Sequence, residues 1–257
     1  MNQKEKAEAF KSLHVKGSPV ILFNIWDAGS ARTVEQAGAK AIATGSWSVA
    51  AAHGFDDGEQ MPLPLLLANI KRIVDSVSIP VTLDFETGYA TDLSGLKENI
   101  RNVVAAGAIG INFEDRIIGA GGLQTIEDQS ARVKAVREAA DDAGIPLFIN
   151  ARTDVFLETY PAKHNEGELE EALRRAAAYA EAGASGLFAP GLRDPDLIEK
   201  LCERSPLPVN ILVLPDTPPA KTMAQLGVAR ISHGAAPYRQ MSAALKEAAE
   251  KALAEAL

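Results

Sequence analysis

"VAAGAIGINFED", residues 104–115, runs from a helix end through a glycine into a short apolar stretch that closes on two carboxylates. Gly107 suits the left-handed position that ends a helix, and the apolar residues after it read as a buried strand. The phrase returns with variations as "EQAGAKAIATG" (35–45), "DDAGIPLFINAR" (141–152), "EAGASGLFAPG" (181–191) and "QLGVARISHG" (225–234). Gly38, Gly107, Gly144, Gly183 and Gly227 stand roughly 35 to 45 residues apart, except for a first gap about twice that. "DSVSIPVTLDFE" (75–86) makes the same helix-to-strand switch inside that gap, and "CERSPLPVNILVL" (202–214) makes it again between Gly183 and Gly227.

Eight apolar strand candidates follow, beginning near Val20, Ala41, Val81, Ile109, Leu147, Gly186, Val209 and Ala229. Each precedes a segment of helical periodicity, such as "LKENIRNVVAA" (96–106) or "ELEEALRRAAAYAEA" (168–182). Strands alternating with helices imply parallel pairing and right-handed crossovers. Eight such units fit a (β/α)8 TIM barrel. A doubly wound sheet would open its first helix with GxGxxG, and "NIWDAGSART" (24–33) does not. No linker interrupts the pattern, so residues 1–257 are expected to form a single barrel domain.

The net charge of −8 argues against a nucleic-acid partner, which requires a basic footprint. The single cysteine, Cys202, rules out an internal disulfide and suits a reducing compartment. "MNQKEKAEAFKSLH" (1–14) lacks the apolar core of a signal peptide, and no apolar run reaches the roughly 18 residues of a membrane span. The expectation is a soluble cytoplasmic protein with neither nucleic acid nor membrane as partner.

In such a barrel, chemistry sits where strands run into helices. Those ends read "NIWDAGS" (24–30), "ATGSWS" (43–48), "LDFETGY" (83–89), "NFEDR" (112–116), "NARTD" (150–154), "FAPG" (188–191), "LVLPD" (212–216) and "ISHG" (231–234). The third to fifth carry Asp84 and Glu86, Glu114 and Asp115, then Arg152 and Asp154. Strand alternation would turn Asp84 and Glu86 to one side. Carboxylates so crowded need a counter-charge. It could be Arg152, a shared proton or a divalent ion, and an all-oxygen set favours Mg2+, with Mn2+ the alternative. A solvated ring of acids partly paired with Arg152 is the plainer reading. Thr44, Gly45, Ser46 and Trp47, at a helix start, suit a carboxylate or phosphate, or Ser46 or Ser48 simply caps the helix.

"NIWDAGSARTVEQAGAKAIATGSWSVA" (24–50), "LDFETGYA" (83–90), "INFED" (111–115) and "FINARTD" (148–154) together resemble the isocitrate lyase and phosphoenolpyruvate mutase superfamily, with a looser likeness through "RISHGAAPYR" (230–239). The resemblance implies a (β/α)8 barrel that binds Mg2+ and small 2-oxo or 2-hydroxy acids, and that makes or breaks C–C or P–C bonds. It makes Asp84 the main metal carboxylate, with Asp57, Glu86 and Glu114 completing the shell, partly through water. It also implies that the amides of Gly45, Ser46 and Trp47 hold the substrate carboxylate and that Arg152 grips the same end. Arg152, Glu114 and Asp57 are thus the candidate catalytic groups. Thr44, Gly45, Ser46, Trp47, Arg152 and His233 are the candidate substrate contacts, and His233 reads either as an acid/base or as a capping or structural residue. Tyr89 packs over the metal shell or anchors its loop. His14, His53 and His164 read as surface or packing residues. A homo-oligomer is implied too, since barrels of this family exchange a C-terminal helix. "MSAALKEAAEKALAEAL" (241–257) suits that exchange, or an ordinary eighth barrel helix.

The lid departs from the pattern. The lyases carry Lys-Lys-Cys-Gly-His or a close variant after the fourth strand, and this chain has "DRIIGAGGLQT" (115–125), with neither Cys nor His. Cys202, in a helix entering the barrel base, is expected to be structural. Isocitrate and 2-methylisocitrate cleavage are therefore not expected. The lysine and asparagine of phosphonate-handling lids are missing as well, which weakens mutase and hydrolase readings. Gly119, Gly121 and Gly122 still allow a mobile lid. Arg116 supplies positive charge there or pairs with Glu114 or Asp115. The expected activity is Mg2+-dependent C–C cleavage or decarboxylation of a small 2-oxo acid through an enolate, as for oxaloacetate. The alternatives are P–C chemistry on phosphonopyruvate or phosphoenolpyruvate, or a non-catalytic carboxylate-binding protein.

Overall fold

A computed structural model of the chain describes residues 1–160 and 164–255. Its strands are β1 (Val20–Leu22), β2 (Ile42–Ala43), β3 (Val81–Asp84), β4 (Gly110–Glu114), β5 (Phe148–Arg152), β6 (Gly186–Phe188), β7 (Val209–Leu212) and β8 (Arg230–Ser232). All pair in parallel, in the order β1-β8-β7-β6-β5-β4-β3-β2. A single bridge between Ile25 and Thr44 closes the β1–β2 seam, where the Ile25 N–H donates to Ala43 O at 2.9 Å. The result is the expected (β/α)8 barrel, nearly closed. Four strands start at the expected residue, and β2, β4, β5 and β8 start at the one after it.

Helix α1 (Gln3–Ser12) precedes the barrel and floors it. Its Phe10 is fully buried and meets Phe148 edge-on at 5.3 Å, while the His14 ring stacks on Phe148 at 4.0 Å. The crossovers are α2 (Ala28–Gln36), α3 (Ser46–Ala52) with α4 (Leu63–Ser76), α5 (Leu93–Ala105), α6 (Ile126–Asp142), α7 (Val155–Glu158) with α8 (Glu166–Glu181), α9 (Pro195–Arg204) and α10 (Ala220–Gln225). The longest of these shows why such segments are helical. In α6 the Thr125 hydroxyl caps the Asp128 N–H at 3.0 Å, and Glu127 and Asp128 sit in the positive first turn. Val133, Val136, Ala139 and Ala140 then form its buried stripe.

Gly38, Gly107, Gly144, Gly183 and Gly227 all have φ between 73° and 103°, the left-handed helix-ending geometry the sequence implies. At Gly107 the requirement is double, because a Cβ there would lie 2.7 Å from Val74 Cγ1.

Helix α11 (Ala236–Ala254) follows β8 but does not lie down as an ordinary barrel helix. Tyr238 meets Trp26 edge-on at 5.0 Å and Trp47 at 5.8 Å, which holds the first turn. Beyond it, alanine, glutamate and lysine provide no bulky stripe, and only Pro237 is buried. Met241, Leu245 and Leu253 remain exposed. Among the described residues no helix is long and apolar enough to cross a membrane.

Candidate active site

Strand β3 ends at Asp84, and both of its carboxylate oxygens are engaged. Oδ2 accepts the Ser46 N–H at 2.9 Å and Oδ1 accepts Asn112 Nδ2 at 3.3 Å. Its own N–H donates to Thr44 Oγ1 at 2.9 Å. Alternation does not carry the chain on to Glu86. Phe85 turns into the core, and Glu86 takes a left-handed φ of 49°. The two acids are neighbours through a turn, then, and not through the pleat. The Glu86 carboxylate accepts the Glu59 N–H at 3.0 Å and faces the Tyr89 hydroxyl at 3.4 Å. Burial, then the charges of Asp57, Asp84, Glu114 and Glu59, push Glu86 up to about 8. Tyr89 stacks on Phe85 at 5.6 Å, and burial followed by the charge of Glu86 raises its hydroxyl above the ordinary phenol range.

On β4 and β5, Arg152 lies between two acids. Its Nη1 is 2.7 Å from Glu114 Oε2, and its Nε and Nη2 fork onto Asp154 at 2.6 and 2.9 Å. Two of its five N–H groups are hydrogen-bonded, both to Asp154, and the Glu114 contact is an ion pair, which leaves N–H groups on the terminal nitrogens for another anion. Burial pushes Glu114 up to about 8; Arg152 opposes this, and Asp154 and Asp84 add to it. Asp115 faces away from this group, contrary to the strand-end clustering. It is fully buried behind β5, accepting the Asp154 N–H at 3.0 Å, Arg175 Nη1 at 3.0 Å and the Tyr179 hydroxyl at 2.9 Å. Its role is to fix β5 and α8 to the β4 end.

A cavity of about 350 Å3 opens over these groups, lined by Ser46, Asp57, Glu86, Glu114, Arg116 and Arg152 among others. Asp57 stands at its rim, where partial withdrawal from water and then the charge of Asp84 raise its pKa against a bond from Ser46. Arg116 is exposed beside it, and its charge favours ionised Glu114. The lid forms its own small turn, with Arg116 bridging Leu123 and the Ile117 N–H donating to Gly122 O at 2.9 Å.

Other candidates stand elsewhere. Thr44 spends its hydroxyl on the Asp84 amide, and the Ser46 N–H expected to hold a substrate carboxylate is held by Asp84 instead. Gly45 is the N-cap of α3 with no side-chain cap, so neither Ser46 nor Ser48 plays that part. Trp47 packs under Arg239, whose guanidinium carbon is 4.7 Å from the ring centre. His233 does not line the cavity. Its ring lies against Phe23 at 5.1 Å, and its backbone N–H donates to Asn24 Oδ1 at 2.9 Å. Cys202 is buried, which pushes its thiol up to about 12, and serves packing. The rings of His53 and His164 bond backbone carbonyls at 2.9 and 2.8 Å.

Beneath Asp84 lies a polar layer that the sequence reading missed. Asn112 Oδ1 accepts both Asn150 Nδ2 at 2.9 Å and Arg230 Nη2 at 3.0 Å, which leaves its Nδ2 to face Asp84. Asn150 also donates to Asn210 Oδ1 at 3.0 Å, and Asn210 donates to Ser232 Oγ at 3.1 Å. Arg230 is fully buried, its Nη1 has no partner, and burial lowers its pKa to about 9 against the pull of Asp84. The available signal was Asn112, Asn150, Asn210 and Arg230, one in each of four strands.

A sequence model of the phosphoenolpyruvate phosphomutase family matches residues 10–253. The chain belongs to this family. A solved structure from Burkholderia cenocepacia J2315, provisionally assigned as a phosphonomutase, is 49% identical, with a TM-score of 0.95 over 98% of this chain and 100% of that one. The phosphoenolpyruvate phosphomutase of Streptomyces hygroscopicus is 30% identical over 84% of this chain and 70% of its own. The 2-methylisocitrate lyase of Escherichia coli K12 is 29% identical over 85% and 74%. Family relatives thus include both P–C and C–C enzymes.

Proposed function

We propose that the protein is a Mg2+-dependent enzyme that cleaves or decarboxylates a small 2-oxo carboxylic acid. The observation that carries this reading is the convergence of Asp57, Glu86 and Glu114 with Arg152 around one cavity at the barrel mouth, with Asp84 near enough for its charge to act on all three acids. The donors suit a hard cation, since every candidate ligand is a carboxylate oxygen. Glu86 and Glu114 sit at about 8 because each is buried near other acids, and a dication would relieve that repulsion. Among the described residues no three His, Cys, Asp or Glu side chains stand close enough to form a metal cage. A hydrated Mg2+ held by one or two carboxylates, the others acting through water, fits such a site better than zinc does.

Bound Mg2+ would polarise the 2-oxo group and stabilise charge developing on its oxygen. Asp84, fixed at both oxygens, is the anchoring carboxylate. The free N–H groups of Arg152 orient the substrate carboxylate, and Arg116 faces its distal end. Decarboxylation suits a mouth without Cys or His in its lid, because loss of CO2 requires no base at the leaving fragment. Helix α11, exposed beyond its first turn, suits assembly with a second copy of the chain.

The test is pyruvate release from oxaloacetate, coupled to lactate dehydrogenase, with Mg2+ and then with excess EDTA. Asp84→Ala protein sets the background that free Mg2+ gives. Activity abolished in both controls supports the reading, and activity no greater than the mutant's removes it. The likeness to a phosphonomutase-assigned structure at 49% identity favours a second reading, P–C chemistry on phosphonopyruvate. Phosphonopyruvate converted to phosphoenolpyruvate, or to pyruvate and phosphate, while oxaloacetate is left intact would select it.

A further inference from the structure

We propose that Glu59 is a positioning residue that locks the loop bearing Glu86 onto the loop bearing Asp57. This rests on the metal reading above. Glu86, Gly88 and Tyr89 all lie in the left-handed region, with φ of 49°, 95° and 55°, and Glu59 itself has φ of 60°. Residues other than glycine hold such angles only where their surroundings over-determine them.

The surroundings divide the work. The loop's carbonyls are gripped from outside, by Arg132 Nη2 at Thr87 O and Ala90 O and by Asn99 Nδ2 at Gly88 O and Tyr89 O. The Gly88 N–H closes the turn on Phe85 O at 2.9 Å, and the N–H groups on either side of it fall to one atom. Glu59 Oε1 accepts the Thr87 N–H at 3.0 Å, the Thr87 hydroxyl at 2.7 Å and the Tyr89 N–H at 2.9 Å. The Glu59 backbone N–H donates to the Glu86 carboxylate at 3.0 Å. One residue therefore fixes both the turn that sends Glu86 toward Asp84 and the direction of the carboxylate itself. It stands two positions from Asp57, so the two acids are set by a common clamp. A residue that acts in this way needs an acceptor oxygen at Oε1 and not a negative charge.

That distinction is testable without turnover. Mn2+ binding is measured by electron paramagnetic resonance of the free ion, on wild type, Glu59→Gln and Glu59→Ala, with Asp84→Ala as control. Glu59→Gln keeps the acceptor and retains most of the affinity. Glu59→Ala weakens binding by about 10- to 100-fold, as for other groups that orient metal ligands. Equal weakening in both variants overturns the proposal, because the charge of Glu59 would then be what matters. Unchanged binding in Glu59→Ala overturns it too and leaves the clamp a purely structural contact. If the alanine variant does not fold, Glu59→Asp replaces it, its carboxylate falling short of the three donors; weakened binding supports the clamp and unchanged binding overturns it. Wild-type protein that binds no Mn2+ removes the metal reading and the proposal together, an outcome distinct from the others.

Discussion

Metal binding at this mouth should expel protons, and the number follows from the electrostatics of the acids. Glu86 and Glu114 each sit at about 8, raised by burial and by neighbouring acids. A carboxyl titrating there is about nine-tenths protonated at pH 7. A dication that takes both groups in ionised form therefore displaces between one and two protons at that pH. The sign is definite: the metal competes with protons, so affinity rises with pH up to about 8 and levels off above it. Each coupled proton costs about tenfold in affinity per pH unit below that point. Isothermal titration of Mn2+ in two buffers of different ionisation enthalpy reads the proton count directly. Glu86→Gln should lower the count by about 0.9. Equal heats in both buffers, with affinity independent of pH between 6 and 8, would refute the reasoning.

Arg230→Met should leave urea stability unchanged or raise it, because a buried cation with an unpartnered Nη1 gives way to an apolar side chain. Asn112→Ala strands the donors of Arg230 and Asn150 and should cost about 3–5 kcal/mol in the same assay. His14 stays neutral in the fold down to about pH 3, held there by burial and then by the charge of Arg230. The unfolded chain protonates it near 6.5, so this contribution to stability is present above 6.5 and is lost as pH falls toward 3. Wild type should lose about 2 kcal/mol more than His14→Phe between pH 6.5 and 5, and parallel curves for the two would sink the assignment. Gly88→Ala places a methyl 2.4 Å from Leu96 Cδ1 at a φ of 95°. It should lower stability by about 1–3 kcal/mol in thermal unfolding and weaken Mn2+ binding with it.

The barrel could be read from the chain because its signals are local. A helix stripe, a closing glycine and an apolar run lie within a dozen residues of one another, and eight repeats leave few topologies. The mouth was legible to the level of which strand ends carry charge. What escaped was partnership. Asp115 and Glu114 are adjacent in sequence, yet Arg175 and Tyr179, on α8, claim the first, and Arg152 claims the second. Pleat alternation placed Glu86 beside Asp84 for the wrong reason, since the strand stops one residue too soon. Glu59 carried no signal because its three donors belong to another loop, 28 to 30 residues on. Asn112 and Asn150 are register partners on β4 and β5, but Arg230 on β8 reaches Asn112 only across the closed barrel.

That buried polar layer bears on how such an activity could be moved. An engineer grafting the loops of this mouth onto an apolar (β/α)8 scaffold would bring Asp84 without the Asn112 amide that orients it, and adding Asn112 alone would leave it without the two donors that fix its own face. The smallest transplantable unit is a slab cut across the barrel, taking in strand interiors on β3, β4, β5, β7 and β8. In this chain the chemistry of the rim and the filling of the cylinder form one inheritance, and a donor scaffold must be chosen for its inside first.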